Sequence, residues 1–169
     1  MEKIITSTQI KQQTIRIAKN INRNHPHDTN KTVFICLLNG GFMFFSDLVK
    51  HIPFSIECDF MRPKSYNGTE QGEMNLLKDI ELDIENKHVY IVDDFLDSGN
   101  TMKFALEHLG KKNPKSLSIV TLLVRENSPR FEVPSYEGLM LTDEWVAGYG
   151  LNGPEEFNRN LPDIYQINI

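Results

Sequence analysis

The sequence is short of positive charge, of cysteine and of long apolar runs. Its 18 lysine and arginine residues are outnumbered by 23 aspartate and glutamate residues, which gives a formal net charge of −5. General nucleic-acid binding needs a basic face, so this class of function is not expected. No apolar run approaches the ~20 residues of a membrane-spanning helix, and the N-terminal segment lacks the apolar core of a secretory signal. These absences favour a cytoplasmic protein that does not associate with membranes.

The two cysteines, Cys36 and Cys58, fit neither a metal-binding nor a disulfide pattern. Neither belongs to a CxxC pair, and neither lies near regularly spaced histidines. Both fall within short apolar runs that are typical of strands, so we expect them to be buried free thiols. Free thiols are typical of a reducing compartment.

Strand-like apolar runs alternate with helical stretches in the middle of the chain, which predicts a parallel α/β sheet. The length of 169 residues suits a single domain, residues 1–169. The predicted helices span residues 6–22, 42–50 and 101–109, and the predicted strands span residues 33–38, 55–60, 89–92 and 116–124. Ligands of such sheets bind beyond the carboxyl ends of the strands, so the loops at those ends are the candidate site.

Local patterns add detail to three of these segments. Thr6 and Gln9 have the spacing of a capping box at the start of the first helix. In the second helix, Phe42, Phe45 and Val49 are expected to face the core. Residues 61–73 are polar and rich in turn residues, which predicts a loop.

The segment VYIVDDFLDSGNTM, residues 89–102, carries the clearest chemistry. Residues 98–101 (Ser-Gly-Asn-Thr) lie where a strand becomes a helix, and the unpaired N–H groups of a helix N-terminus bind anions such as phosphate. Asp93 and Asp94 would repel a phosphorylated ligand unless they bind its hydroxyls or a cation. Ribose hydroxyls together with Mg²⁺ meet both conditions. Asp97 is placed to reach the reacting part of such a ligand.

This segment resembles the phosphoribosyl-pyrophosphate (PRPP) motif of the type I phosphoribosyltransferases: an apolar strand, two acids, two apolar residues, then D-[ST]-G-x-T. The resemblance extends over nearly the whole chain and indicates the hypoxanthine-guanine phosphoribosyltransferase family. LLNGGFMFFSDLV is similar to that family's pyrophosphate loop and following helix, and DFMRPKSYNGTEQGE to its mobile catalytic loop. TLLVRENSPR and DEWVAGYGLN, followed by FNRNLP, are similar to its base-binding segments.

The resemblance implies a fold, a reaction and partners. The fold is a central, mostly parallel sheet flanked by helices, with a small hood formed mainly by residues 134–169. The reaction is Mg²⁺-dependent transfer of 5-phosphoribosyl from PRPP to a ring nitrogen of hypoxanthine or guanine. Its products are a nucleoside monophosphate (IMP or GMP) and pyrophosphate. The resemblance thereby implies a role in purine salvage. A homodimer or homotetramer is also implied.

The resemblance assigns the PRPP side of the site residue by residue. Asp97 matches the family's general base, near the purine N7, and Asp93 and Asp94 would bind the ribose hydroxyls and Mg²⁺. Two further sets of residues are implied, one for the 5′-phosphate and one for pyrophosphate. Asp97, Ser98, Gly99, Asn100 and Thr101 would hold the 5′-phosphate end; Asn39, Gly40, Gly41 and Arg159 would hold pyrophosphate, the loop through backbone N–H groups and a non-proline cis peptide.

The base side and the lid are assigned in the same way. Trp145 would stack on the purine, and the backbone of Val146 would read its edge. Arg125 stands where the family's lysine donates to the purine O6. Ser65 and Tyr66 would close over the site during turnover and exclude water.

Three positions depart from the family pattern. Arg125 replaces lysine, and its planar fork can grip two acceptors, which could shift the preference among bases. Asn152 stands where an aspartate ligates a second Mg²⁺, so we expect weaker metal dependence there or a substitute such as Glu155. Asn39 replaces a frequent lysine, with a modest expected effect.

Two alternatives remain open at this point. Arg125 and Asn152 are compatible with the same chemistry on xanthine or on a non-standard base. A third interpretation is a regulator that kept the fold, senses PRPP or a nucleotide, and binds nucleic acid. The acidic charge argues against such a regulator.

Overall fold

A computed structural model of the chain describes residues 1–65, 74–153 and 157–167. Its helices are α1 (Ser7–Asn24), α2 (Phe42–Val49) and α3 (Asn100–Gly110). Its strands are β1 (Glu2–Ile5), β2 (Thr32–Leu37), β3 (Glu57–Ser65), β4 (Met74–Lys78), β5 (His88–Leu96), β6 (Ser116–Arg125), β7 (Ser135–Leu141), β8 (Val146–Ala147) and β9 (Ile164–Gln166). Within the described residues, none of the helices is long and apolar enough to cross a membrane.

The main sheet has six strands in the order β4-β3-β2-β5-β6-β7. Strands β3, β2, β5, β6 and β7 are parallel to their neighbours, and only the edge strand β4 is antiparallel. This confirms the predicted central, mostly parallel sheet. Every residue of β2 is buried, as expected for a central strand covered on both faces.

Helices cover both faces of the main sheet. The alternation of side chains along β2 sends Phe34 and Cys36 into the core beneath α1 and α2, and Val33 and Ile35 into the core beneath α3. Helix α1 begins with the predicted capping box. The Thr6 side chain accepts from the backbone N–H of Gln9, and the Gln9 side chain accepts from the backbone N–H of Thr6.

The phase of α2 differs from the expectation. Phe44, Phe45 and Leu48 are buried, whereas Phe42 is 44% exposed. Phe45 is therefore confirmed as a core residue and Phe42 is not. Four consecutive apolar or aromatic residues leave the helical phase undetermined, and packing against β2 and β5 selects it.

Strand β3 differs from the sequence prediction in two ways. It continues through Ser65, so residues 61–65 are strand rather than loop. Asp59 and Met61 face inward and are buried, while Cys58 points outward and is exposed. The expectation of two buried thiols is thus correct for Cys36 and wrong for Cys58, because alternation along the strand decides the face.

A second, small sheet has the order β1-β9-β8, with both pairings antiparallel. It combines the N-terminal strand with two short C-terminal strands. Residues Ser135–Leu141 of the C-terminal segment lie in the main sheet as β7. The small sheet therefore joins the two ends of the chain beside the carboxyl edge of the main sheet.

Candidate active site

Strand β5 is longer than predicted, and its extra residues carry the acids. Its pairing with β2 ends at Val92 opposite Cys36, but its pairing with β6 continues to Leu96 opposite Val124. Asp93 and Asp94 therefore lie within the strand, at the level where β2 ends with Leu37. The gap left by β2 is filled by the loop that follows it.

The acid pair is buried. Asp93 is 9% exposed and Asp94 is 7% exposed, and the Asp94 N–H donates to the Asp93 carboxylate at 3.0 Å. Burial raises the pKa of Asp93 well above its usual range, and the neighbouring Asp94 charge adds to this. Burial also raises the pKa of Asp94, although the positive charge of Arg159 opposes the rise. Such a pair favours a bound cation or hydroxyl donors.

The turn after β5, where the resemblance places the 5′-phosphate, contains a glycine in the left-handed region. Gly99 adopts φ +79°, in the left-handed region that favours glycine, and its carbonyl accepts from Lys103 N–H at 2.8 Å to open α3. A side chain at Gly99 would collide with the ring of Pro129. A small cleft of about 80 Å³ borders this turn, lined by Asp93, Phe95, Leu96, Asp97, Ser98, Gly99, Thr101 and Met102.

The loop after β2 packs directly on the acid pair. The Leu38–Asn39 peptide is cis, as the resemblance implied. A Cβ at Gly40 would lie 2.8 Å from the Asp94 carboxyl carbon, so only glycine fits there. The Gly41 N–H already donates to Leu37 O at 3.1 Å. Within the described residues, the loop N–H groups left for a ligand are those of Asn39 and Gly40.

Arg159 joins the C-terminal segment to this loop. Its Nη1 donates to the Gly150 carbonyl at 2.6 Å, and the Gly150 N–H donates to the Arg159 carbonyl at 2.9 Å. Gly150 has φ +97°, and a side chain there would collide with the carbonyl oxygen of Gly40. Arg159, Gly40 and Asp94 therefore converge at one place.

Arg125 does not point freely into a base pocket. Its Nε and Nη2 donate to the two carboxylate oxygens of Asp97 at 3.0 and 3.2 Å. Its Nη1 donates to the carbonyls of Thr142 and Glu144, each at 3.1 Å. The hydrogen bond to Asp97 raises the pKa of Arg125, so the guanidinium stays charged. The guanidinium thus donates to four protein acceptors, and its role toward a base stays a prediction.

The remaining base-side residues follow directly after this loop. Trp145 is 64% exposed, so its ring is accessible to a ligand. Its carbonyl accepts from Ile167 N–H at 2.8 Å, and Val146 pairs with Gln166 in the small sheet. The small sheet thus fixes the backbone at Trp145 and Val146 while leaving the indole uncovered.

Four further residues named from the sequence remain. Ser65 ends β3 and is exposed, opposite Met74 of β4. Asn152 is exposed just after Leu151. Tyr66 and Glu155 lie outside the described residues.

A divalent cation is compatible with the acid pair. The resemblance found in the sequence implies a Mg²⁺ ion at these residues. Asp93 and Asp94 offer buried oxygen donors, and oxygen donors suit Mg²⁺. The part of the chain that the structure describes contains no cluster of three or more His, Cys, Asp or Glu side chains for a metal.

Sequence reasoning missed three residues that shape the site: Gly150, Pro129 and Phe95. Gly150 and Pro129 act through close approach to Gly40 and Gly99, and such approaches between distant segments leave no local signal. Phe95 was assigned no role, yet its ring lies under the Arg125 guanidinium, 4.8 Å from its central carbon. The apolar residues between the acids and Asp97 could have indicated a lining role.

Comparison with known proteins places this site in a family. Residues 2–153 match the model of the phosphoribosyl transferase domain. The chain is 34% identical to the hypoxanthine phosphoribosyltransferase of Salmonella typhimurium over 99% of this chain and 95% of that protein.

Solved structures agree over the same span. The chain superimposes on a hypoxanthine-guanine phosphoribosyltransferase of Bacillus anthracis with a TM-score of 0.90 and 32% identity, covering 99% of each chain. It superimposes on the hypoxanthine phosphoribosyltransferase of Trypanosoma cruzi, solved in complex with the product IMP, with a TM-score of 0.87 and 27% identity, covering 99% of this chain and 94% of that one. The chain therefore belongs to the phosphoribosyltransferase family and, within it, to the hypoxanthine-guanine phosphoribosyltransferases.

Proposed function

We propose that this protein is a purine-salvage enzyme that transfers the 5-phosphoribosyl group of PRPP to hypoxanthine or guanine. The products are IMP or GMP and pyrophosphate. The observation that carries the proposal is the contact of Gly40 with the carboxylate of Asp94. It brings the loop proposed for pyrophosphate onto the acids proposed for ribose, beside the turn proposed for the 5′-phosphate.

PRPP would bind across these three parts. The N–H groups at the start of α3, with the hydroxyls of Ser98 and Thr101, suit the 5′-phosphate. The N–H groups of Asn39 and Gly40 suit the pyrophosphate oxygens, with Arg159 supplying positive charge beside them. Because these donors are fixed by backbone and by packing, they need little reorganisation as charge develops on the leaving group.

Asp97 would act on the base. In the reaction, the bond from the sugar carbon to pyrophosphate breaks, the bond from that carbon to a purine nitrogen forms, and the base loses a proton. Positive charge develops on the ribose and negative charge on the leaving group. The exposed carboxylate of Asp97 would accept the base's N–H hydrogen bond near N7 and hold the proton as it leaves.

Asp93 and Asp94 would bind the ribose hydroxyls and a Mg²⁺ ion. When bound, the ion would neutralise negative charge on the pyrophosphate and help orient it. Asn152 remains proposed as a weaker ligand for a second ion. The two buried carboxylates also direct the ribose, since each can accept a hydroxyl hydrogen bond.

The proposed cover of the site comes from two segments. The exposed ring of Trp145 would stack on the purine, with the Val146 backbone at its edge. Ser65 and Tyr66 are proposed to shield the reacting atoms from water, as the resemblance implies.

We also propose that the enzyme is a homodimer or homotetramer. Phe42 and Phe60 are 44% and 38% exposed, and Phe60 lies next to Phe45, with ring centroids 5.5 Å apart. Exposed aromatic rings of this kind are enriched in interfaces. Light scattering coupled to gel filtration would measure the mass, and Phe42→Ser is expected to shift it toward the monomer.

The function is tested by product formation from PRPP and Mg²⁺ with hypoxanthine, guanine, xanthine, adenine and uracil. Turnover of hypoxanthine or guanine, abolished by Asp97→Asn, would support the proposal. Turnover of xanthine alone would overturn it in favour of a xanthine enzyme. PRPP binding without turnover of any base would favour a regulator, for which a gel shift at low and moderate salt is the next measurement.

A further inference from the structure

The Arg125 side chain connects three separate segments of the site. It leaves the end of β6 and is 17% exposed. One edge of its guanidinium holds both oxygens of Asp97, which follows β5, and the other holds the carbonyls of Thr142 and Glu144, in the loop before Trp145. Its central carbon lies over the ring of Phe95, 4.8 Å from the centroid.

The hydrogen bonds of Arg125 use nearly all its donors. A guanidinium has five N–H groups, and the four hydrogen bonds engage one on Nε, two on Nη1 and one on Nη2. One Nη2 N–H remains. A purine could therefore receive at most one hydrogen bond from Arg125 while the other four persist.

We propose that Arg125 is a positioning residue that holds the carboxylate of Asp97 in register with the base-binding loop, residues 142–146. This inference rests on the proposed function, because it assumes that Asp97 meets the base. It changes the role expected for Arg125. Its main task is to fix the distance between the group that takes the proton and the residues that hold the purine, rather than to read the purine O6.

A lysine at this position could not do the same. An ammonium group is a single point with three tetrahedral donors, so it cannot span two carboxylate oxygens and two carbonyls on opposite edges. A displacement of about 1 Å in a reacting group can cost on the order of 100-fold in rate.

The test compares Arg125→Lys with Arg16→Lys. Arg16 is a matched control because its guanidinium also joins separate segments, but on an exposed surface outside the site. Its Nε donates to Gln13 Oε1 at 2.8 Å, and its Nη2 donates to the carbonyls of Glu137 and Gly138 at 2.7 and 3.4 Å. We expect Arg125→Lys to lower kcat about 10- to 100-fold, with KM for PRPP within about twofold of wild type. Arg16→Lys should leave both constants unchanged.

A second variant guards against a folding defect. Arg125→Met keeps an unbranched apolar stem but removes every donor, so it should lower kcat at least as much as Arg125→Lys. Its thermal unfolding should remain cooperative. If either variant raised KM for hypoxanthine while kcat stayed unchanged, Arg125 would be a direct base contact and the proposal would be overturned.

The coupling to Asp97 is tested by a double variant. If Arg125 acts through Asp97, adding Arg125→Lys to Asp97→Asn should lower the residual kcat by less than about twofold, because coupled positions are not additive. A further loss equal to that of Arg125→Lys alone would show independent action and would overturn the proposal.

The link to the base-binding loop has a readout that needs no turnover. Trp145 is the sole tryptophan of the chain, and it directly follows Glu144. Arg125→Lys should change its fluorescence emission in the free enzyme, whereas Arg16→Lys should not. If wild type turned over no base, the proposed function would fail. The fluorescence comparison would still test whether Arg125 connects Asp97 to the base-binding loop. Identical emission of wild type and Arg125→Lys would overturn the link.

Discussion

Strand β5 carries buried polar side chains at both ends, and the two ends satisfy them differently. At the amino end, His88 contacts Ser116 Oγ at 2.7 Å and the Asp28 carboxylate at 3.0 Å, and Tyr90 OH contacts His25 Nδ1 at 2.8 Å. At the carboxyl end, Asp93 and Asp94 lie side by side, and their nearest hydrogen bond is to each other. The first group pairs donors with acceptors; the second places two acidic side chains next to each other, and burial raises the pKa of both.

The difference separates stability from function along one strand. Polar groups that satisfy one another contribute to the folded state at little electrostatic cost. Two buried carboxylates without a full counter-charge oppose folding, and a site keeps them because a cation and ribose hydroxyls then bind strongly. Changes at the carboxyl end should therefore reduce activity more than stability, and changes at the amino end should do the reverse.

The largest expected effect is at Asp97, which is exposed and bound only by Arg125 among the described residues. Asp97→Asn should lower kcat by about 10²–10⁴-fold, because the amide cannot accept the proton. Unfolding should change less than activity, since the Asp97 side chain is 54% exposed and ion pairs open to solvent contribute little to stability. Asp83→Asn, an exposed turn carboxylate before β5, is the control and should retain full activity.

The second largest effect is expected from adding a side chain at Gly99, in the turn proposed to bind the 5′-phosphate. Gly99→Ala would place a methyl group against Pro129 in a left-handed backbone. We expect KM for PRPP to rise about tenfold or more and stability to fall by about 1–3 kcal/mol.

Gly110→Ala, at the other end of the same helix, is the matched control. Its added Cβ would meet only Leu117, at 3.9 Å, so stability should stay equal or rise. Steady-state kinetics and urea unfolding measure both variants. Equal KM for PRPP in the two would contradict a phosphate role for the turn.

The third prediction is a substitution at a buried residue that should stabilise the fold, whereas most such substitutions destabilise it. Asp93→Asn should raise the free energy of unfolding by about 1–3 kcal/mol without metal, because it removes a buried charge yet keeps an oxygen for the Asp94 N–H. PRPP affinity should fall at least about tenfold, since the charge that holds the cation is halved.

Asp59→Asn supplies the contrast. Asp59 is also buried, but the backbone N–H groups of Leu82, Phe60 and Glu81 donate to its carboxylate. They outweigh its burial and lower its pKa. Its replacement should therefore destabilise the fold. Urea unfolding with EDTA at about pH 7.5 compares the two, and destabilisation by both would refute the contrast between ligand-dependent and satisfied carboxylates.

The smallest effect is expected at the amino end, on acidification. Burial lowers the pKa of His25, the charges of His27 and His88 lower it further, and Asp28 opposes them. The folded state thus favours the neutral ring. Its contribution is fully present above the unfolded pKa of about 6.5 and is lost as pH falls through that range toward the lowered folded pKa.

The measurement is the slope of unfolding free energy against pH between about 7.5 and 5.5, in wild type and His25→Gln. Glutamine does not titrate, so the variant should show the shallower slope. Activity measured at neutral pH should be unchanged, because His25 contacts Tyr90 and Thr32 at the end of the sheet opposite the site. An equal slope would assign the pH dependence to other groups.

Several elements were predictable from local pattern alone. The capping box of Thr6 and Gln9, the strands at residues 33–38 and 116–124, and the helix after Gly99 depend on neighbouring residues, so the sequence indicates them. The length of β5, the phase of α2 and the exposure of Cys58 depend on which strand or helix lies alongside. Local periodicity does not contain that information.

By itself, the sequence determined the fold class and the chemical parts of the site: the acid pair, the glycine turn, the loop at residues 39–41 and Asp97. Their order and spacing are carried within short segments, each of which resembles its family counterpart. Only the tertiary structure decided how these parts meet. It placed Gly40 against Asp94, Gly150 against Gly40, and Arg125 on Asp97 rather than free to bind a base. Such contacts join residues far apart in the chain, and their geometry follows from strand order and helix packing, which no single segment encodes.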